Sequence, residues 1–211
     1  MKFSVLQENF EKGLAIINHV SSQKAQLPIL SHVLIRSTKK GLFLLATDLE
    51  IGIEIHIPAK IDEEGEIAIP SRVILELTSS LSHEKIDVYS EKDTLIIQTL
   101  TTKSSILGIN SQEFPKIFEG EKKLLGTISK KKLKEIIKHV RFSASMDEGR
   151  PVLTGILVKL DKNLSFVATD GYRLSLQKIS DEHFTKGNDG KELIIPVKIF
   201  KQLLLLLSEK G

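Results

Sequence analysis

Apolar residues recur at helical spacing near the start of each half of the chain. Phe10, Leu14, Ile17 and Val20 make one such stripe, which predicts an amphipathic helix. Leu133, Ile136, Ile137 and Val140 make another at i, i+3, i+4 and i+7, with Ser129 placed as its N-cap. Each stripe is followed by runs rich in branched residues that predict strands: Val33–Ser37, Leu42–Thr47 and Ile51–Ile57 in the first half, Ile156–Leu160, Leu164–Ala168 and Arg173–Ile179 in the second. Lys39-Lys40-Gly41 and Asp161-Lys162-Asn163 suit tight hairpins between them. A second helix then follows an Ile-Pro step in each half. Its apolar stripe is Val73, Ile74, Leu77 and Leu81 in one case, and Ile199, Phe200, Leu203, Leu204 and Leu207 in the other.

The two halves are copies of one another. Ile16-Ile17-Asn18-His19-Val20 pairs with Ile136-Ile137-Lys138-His139-Val140 at an offset of 120. Pro28-Ile29-Leu30 recurs as Pro151-Val152-Leu153 at 123, and Ala46-Thr47-Asp48 as Ala168-Thr169-Asp170 at 122. Ile67-Ala68-Ile69-Pro70 recurs as Leu193-Ile194-Ile195-Pro196 at 126. One short match means nothing, but four landmarks in the same order define a repeat. The expected domains are residues 1–119 and 120–211, with the first ending near Phe118-Glu119-Gly120. The first copy continues through the strand-like stretches Lys85–Ser90, Thr94–Thr99 and Ser104–Ile109 to Phe114-Pro115. From Pro70 to Pro115 is 45 residues, whereas Pro196 to Gly211 is 15. By its own template the second copy is therefore about 30 residues short. The expectation is an incomplete second repeat whose sheet edges lack partners.

Composition narrows the functional classes. With 41% hydrophobic residues in 211 the chain can build real cores, and 27% charged residues suit a soluble protein. The absence of cysteine excludes disulfides, thiolate catalysis and Cys-type zinc sites. No apolar run approaches a membrane span and no signal peptide is legible, so a cytoplasmic location is expected. Charge is uneven: 12 Lys and Arg against 15 Asp and Glu in residues 1–118, but 18 against 12 in residues 119–211. A basic second half points to a polyanionic partner.

The ordered set of segments resembles the bacterial replicative sliding clamps, the DNA polymerase III beta-subunit family, along essentially the whole chain. The resemblance is carried by Met1-Lys2-Phe3, Leu27-Pro28-Ile29-Leu30, Ala46-Thr47-Asp48-Leu49-Glu50-Ile51 and Phe114-Pro115. The second copy adds Arg150-Pro151-Val152-Leu153-Thr154-Gly155 and Ala168-Thr169-Asp170-Gly171-Tyr172-Arg173-Leu174. It implies an α+β DNA-clamp fold of tandem domains, each with two helices packed on antiparallel sheets. The family ring holds three such domains per chain in a head-to-tail homodimer; against that template this sequence is expected to carry the first domain and a shortened second, without the third. A non-catalytic processivity factor without cofactor is implied, encircling double-stranded DNA and docking the polymerase catalytic subunit and clamp loader. The alternative is a clamp fragment that binds DNA or partner peptides weakly and closes no ring unless the missing region is supplied.

Duplex DNA presents about one charge per 1.7 Å of axis, so a diffuse cationic surface holds it without reading sequence. Lys131, Lys134 and Lys138 share the helix face opposite the Leu133–Val140 stripe, and Arg141 follows. Lys12 and Arg72 occupy comparable places in the first copy, as do Lys198 and Lys201 on the last helix. Lys24 and Lys198 match positions that contact DNA in the family. On composition alone such faces are ordinary solvated surface; the repeat and the resemblance favour the DNA-facing reading. The two lysine-bearing helix pairs are expected to share a concave wall.

A second candidate site is Gly171-Tyr172-Arg173-Leu174. The first copy reads Leu49-Glu50-Ile51-Gly52 there. What the copies share, Ala-Thr-Asp, is read as a strand end whose Asp accepts turn hydrogen bonds. What differs suits the docking of a short peptide, unless Gly171 merely eases the turn. By resemblance Leu153 and Thr169 belong to the same peptide-gripping pocket. His19, His32, His56, His83, His139 and His183 show no metal-ligand spacing. Asp48 and Asp170 lack an acid–base partner nearby, which leaves a hydrolase reading weak. Gly187-Asn188-Asp189-Gly190 reads as an exposed turn rather than a phosphate loop.

Overall fold

The computed structural model describes residues 1–21, 27–117, 124, 127–161, 163–179 and 190–208, with side chains in the last helix as far as Leu204. Lys24, Lys162, His183, Gly187–Asp189, Phe118–Gly120 and the side chain of Leu207 lie outside that description. The chain divides into two compact units, Met1–Gly120 and Glu121–Gly211.

In the first unit β1 (Lys2–Leu6) runs directly into α1 (Gln7–Asn18). A short 3-10 turn at Pro28–Ser31 leads to β2 (His32–Thr38), β3 (Gly41–Thr47), β4 (Gly52–Ile57), β5 (Lys60–Glu63) and β6 (Gly65–Pro70). α2 (Ser71–Ser80) is followed by β7 (Lys85–Glu91), β8 (Thr94–Gln98) and β9 (Lys103–Leu107). These strands form two antiparallel sheets, ordered β4-β3-β2-β6 and β5-β1-β7-β8-β9. The helical stripe is buried as its spacing predicts: Phe10, Leu14, Ile17 and Val20 pack with Phe3, Ile35, Leu44, Ile86 and Leu95 in one core.

α2 departs from the expected stripe. Val73 is 48% exposed, and the buried positions are Ser71, Ile74 and Thr78. Small polar groups win there because α2 lies close against α1. Ser21 and Ser71 share a 2.6 Å hydrogen bond, and Gln7 Nε2 donates to the Thr78 carbonyl at 2.9 Å. The Ser21–Ser71 bond offsets the desolvation of those two hydroxyls, whereas the buried Thr78 hydroxyl has no hydrogen-bond partner among the described residues and carries its desolvation cost. The strands β1 and β5 escape the sequence pattern. β1 is an interior strand of its sheet only through pairing with residues 60–63 and 85–89, far along the chain.

The second unit contains α3 (Lys130–Val140), β10 (Gly155–Leu160), β11 (Leu164–Thr169), β12 (Leu174–Ile179), β13 (Lys191–Pro196) and α4 (Val197–Ser208). Short 3-10 turns occupy Arg141–Ser143 and Pro151–Thr154. Its sheet order, β12-β11-β10-β13, reproduces β4-β3-β2-β6. Register is reproduced too: His32 pairs with Pro70 as Gly155 does with Pro196, and Thr47 with Gly52 as Thr169 does with Leu174. Ile136, Ile137 and Val140 pack on Ile156, Val158, Leu160, Leu164, Phe166 and Phe200, with Leu133 at the margin. Among the described residues this unit has one sheet, with no counterpart of β1 or β7–β9. No described helix is long and apolar enough to cross a membrane.

Candidate nucleic-acid interface and peptide-docking turn

α3 carries Lys130, Lys131, Lys132, Lys134 and Lys138 against a single Glu135. Burial of Ile136, Ile137 and Val140 turns Lys131 and Lys138 outward, with Lys134 half-exposed on the same side. Ser129 caps the helix, its Oγ accepting from the Lys132 amide at 3.4 Å. Three consecutive lysines in the first turn oppose the helix dipole, whose positive end lies there. Local stability would select acids at those positions, so helix stability by itself does not account for the lysines. Arg141 is exposed at the C-terminal end of α3, and Lys198 and Lys201 are exposed on α4 one turn apart.

In the first unit Lys12 is exposed on α1 and Arg72 on α2. Arg72 is committed to Glu76: Nε donates to Oε1 at 2.6 Å, and this pairing raises the guanidinium pKa. Its charge is therefore partly neutralised, so the second unit is the more strongly cationic candidate. Lys24 falls outside the described residues.

The turn after β11 is a tightly hydrogen-bonded loop. Thr169 Oγ1 donates to the Arg173 carbonyl (2.7 Å) and accepts from the Gly171 amide (3.1 Å). Asp170 Oδ1 accepts from the amides of Tyr172 (3.0 Å) and Arg173 (2.9 Å), while Oδ2 accepts from Arg173 Nε (2.9 Å). These amides of Arg173 and Tyr172, then the Arg173 side chain, hold the Asp170 carboxyl below the usual carboxylate range. The loop after β3 is built the same way, with Thr47 Oγ1 on the Ile51 carbonyl and Asp48 Oδ1 taking the Glu50 and Ile51 amides. The shared Thr-Asp is thus architectural, as its sequence suggests.

What the second copy displays on this frame is different. Tyr172 is 94% exposed, and Leu174 and Val152 are exposed beside half-buried Leu153 and Thr169. Arg173 is less available than its donors suggest, since Asp170 holds Nε and the guanidinium lies 5.7 Å from the Phe142 ring centroid. Gly171 has φ +93°, so it does ease the turn, in addition to any role in docking. Two contributors were not foreseen. Arg150 ties the Pro151–Thr154 segment to the turn by donating from Nη1 to the Asp170 carbonyl (3.4 Å), itself held by Asp147 (2.9 Å). Phe142 supplies the ring under Arg173. Neither has a local signature, because each acts across 20 or more residues.

Among the described residues no group of three or more His, Asp or Glu side chains is arranged to hold a metal. Two units of like topology, each with helices on an antiparallel sheet and cationic residues on those helices, define a DNA-clamp fold. The chain belongs to the DNA polymerase III beta subunit family, residues 1–118 matching its N-terminal domain and residues 127–211 its central domain. The beta sliding clamp of Chlamydia trachomatis is 30% identical over 213 residues, covering 99% of this chain and 50% of that protein. That of Pseudomonas putida is 28% identical over 215 residues, covering 99% and 57%. Among solved structures, the DNA polymerase III beta subunit from Pseudomonas aeruginosa aligns with a TM-score of 0.88 at 28% identity, covering 99% of this chain and 57% of that one. The beta subunit from Streptococcus pyogenes gives 0.89 at 26%, covering 98% and 56%. The chain spans about half the length of the curated relatives it matches.

Proposed function

We propose that this chain is a non-catalytic clamp component that holds duplex DNA through its helices and docks partner peptides on its second unit. The observation that carries the reading is the lysine-rich first turn of α3, set against its own helix dipole. The DNA contacts are assigned to Lys131, Lys134, Lys138, Arg141, Lys198 and Lys201, with Lys12, Lys24 and Arg72 on the first unit. Contacts of this type go to phosphates, so binding is strong at low salt and indifferent to sequence. Peptides of the polymerase catalytic subunit and clamp loader are assigned to Leu153, Thr169, Gly171, Tyr172, Arg173 and Leu174. Support for a non-catalytic role comes from Asp48 and Asp170, whose carboxylates are spent on turn amides in both copies. A replication clamp works in the cytoplasm, beside the chromosome.

Retention on circular but not linearised plasmid tests encirclement. The alternative reading is a clamp fragment that binds DNA and partner peptides weakly and closes no ring. Equal, salt-sensitive binding to both DNA forms supports that second reading over encirclement.

A further inference from the structure

Residues 39–64 of the first unit line an open groove of about 660 Å³ that neither the DNA contacts nor the peptide turn uses. One lip is the tip of the β2–β3 hairpin, Lys39-Lys40-Gly41, and the other is Asp62 and Glu64, in and just beyond β5. The floor is apolar, made by Pro58, Ala59 and the half-buried Ile61. A volume of this size falls within the roughly 300–1,000 Å³ of ligand sites.

The hairpin tip is fixed by a set of hydrogen bonds. Glu64 Oε1 accepts from the Lys39 amide (2.7 Å), Thr38 Oγ1 accepts from the Lys40 amide (3.1 Å), and His56 Nε2 lies 3.2 Å from the Lys40 carbonyl. The His56 ring is set in turn against Phe43, with 5.1 Å between centroids. Gly41 belongs to the same construction, since at its φ of +132° a Cβ would fall 2.2 Å from His56 Nε2. Fixing this tip fixes where two adjacent lysines emerge.

Charge decides what the groove takes. Residues 1–118 carry 12 Lys and Arg against 15 Asp and Glu, so the first unit is acidic overall. The balance at the groove is different. Asp62 is paired with Lys60 (3.2 Å) and Glu64 is bonded to the Lys39 amide, whereas the ammonium groups of Lys39 and Lys40 have no ion-pair partner among the described residues. Two neighbouring free cations favour an anion beside them. The amides of Lys39 and Lys40 are both committed, so the backbone cradle that a phosphate exploits is not on offer. Asp62 and Glu64 across the groove further disfavour a doubly charged ligand. A single carboxylate joined to an aliphatic group suits both the lysines and the floor.

We propose that this groove docks an extended acidic segment of a partner polypeptide. An Asp or Glu side chain is held by Lys39 and Lys40, and an aliphatic residue two positions away, on the same face of the extended chain, lies on Pro58, Ala59 and Ile61. The inference goes beyond the DNA-holding role and does not depend on it or on the turn after β11.

The test uses the full chain and a fluorescein-labelled peptide, Gly-Glu-Ser-Leu-Ser-Glu-Gly, which offers the acid–aliphatic pair in either chain direction. Fluorescence anisotropy should show saturable binding, weakened about tenfold or more by Lys39→Glu with Lys40→Glu. Both lysines are exposed, so circular dichroism should report an unchanged fold. Replacing both peptide acids by Gln, or its Leu by Ser, should weaken binding comparably. Lys131→Glu with Lys134→Glu, and separately Tyr172→Ala, should leave it unchanged. Inorganic phosphate should displace the peptide no better than chloride at equal ionic strength. No saturable binding overturns the proposal, as does binding untouched by the Lys39 and Lys40 reversal. Loss of binding in the Lys131 and Lys134 variant would place the peptide on α3, and preferential displacement by phosphate would assign the groove to a phosphorylated ligand; either result also overturns it.

Discussion

Leu49 and Gly171 occupy the same left-handed position in two copies of one turn, with φ of +73° and +93°. In both, the amide of that residue donates to a threonine hydroxyl, Thr47 Oγ1 at 3.0 Å and Thr169 Oγ1 at 3.1 Å. The hydrogen-bond frame is strong enough to hold a leucine where glycine is the unstrained choice.

That relationship predicts opposite stability effects from reciprocal changes. Leu49→Gly should raise stability by roughly 0.5 kcal/mol, relief of left-handed strain outweighing the extra freedom glycine adds to the unfolded chain. Gly171→Ala should cost roughly 1 kcal/mol, since the new Cβ is strained by its backbone and lies 3.4 Å from Arg150 Nη1. Urea denaturation of each variant measures both.

Charge reversal on α3 should separate function from stability. Lys131→Glu with Lys134→Glu should weaken DNA binding at every sequence and lower the salt slope by about 1 or more per site. Lys131→Glu alone should leave thermal stability unchanged or raise it by about 0.3–1 kcal/mol, because it puts an acid at a helix N-terminus. An unaltered salt slope in the double variant would count against the DNA assignment.

The turn after β11 should respond to acid. Asp170 has a lowered pKa in the folded chain, so its contribution to stability is fully present above the ordinary aspartate value and is lost as pH falls through its own lower one. In Asp170→Asn the amide exchange of Tyr172 and Arg173 should be faster at neutral pH and should lose that acid dependence. Hydrogen exchange followed by NMR across the acid range checks it.

Crowding between Gly52 and Ile117 in the first unit is a further test. Gly52→Leu, which installs the residue of the second copy, should destabilise the first unit by about 1–3 kcal/mol through overpacking against Ile117. Combining it with Ile117→Ala should recover part of that loss, and a double-mutant cycle by urea denaturation measures the coupling.

Much of the scaffold was legible residue by residue. The α1 and α3 stripes, the β2-β3-β4 and β10-β11-β12 runs and the Thr-Asp turns depend on spacing within a few positions, which the chain writes directly. α2 was less so. Val73 fits an apolar stripe, but the contact of α2 with α1 and with Ser21 just beyond it decided which side is buried. Of the candidate site, the lysine face of α3 was legible once its apolar side was known. The engagement of Arg173 by Asp170 and Phe142 was not.

Order and offset along the chain were enough to establish two copies of one unit, since a repeat is a property of residue types and their distances. Which copy keeps its outer face covered is not such a property. An aliphatic residue on a strand does not announce what will lie over it. Leu34 and Leu157 are the same residue type at equivalent strand positions, yet Leu34 is buried in a cluster with Phe114 while Leu157 is half-buried. Burial depends on what returns across the sheet from far along the chain, and that contact exists only when the chain has folded.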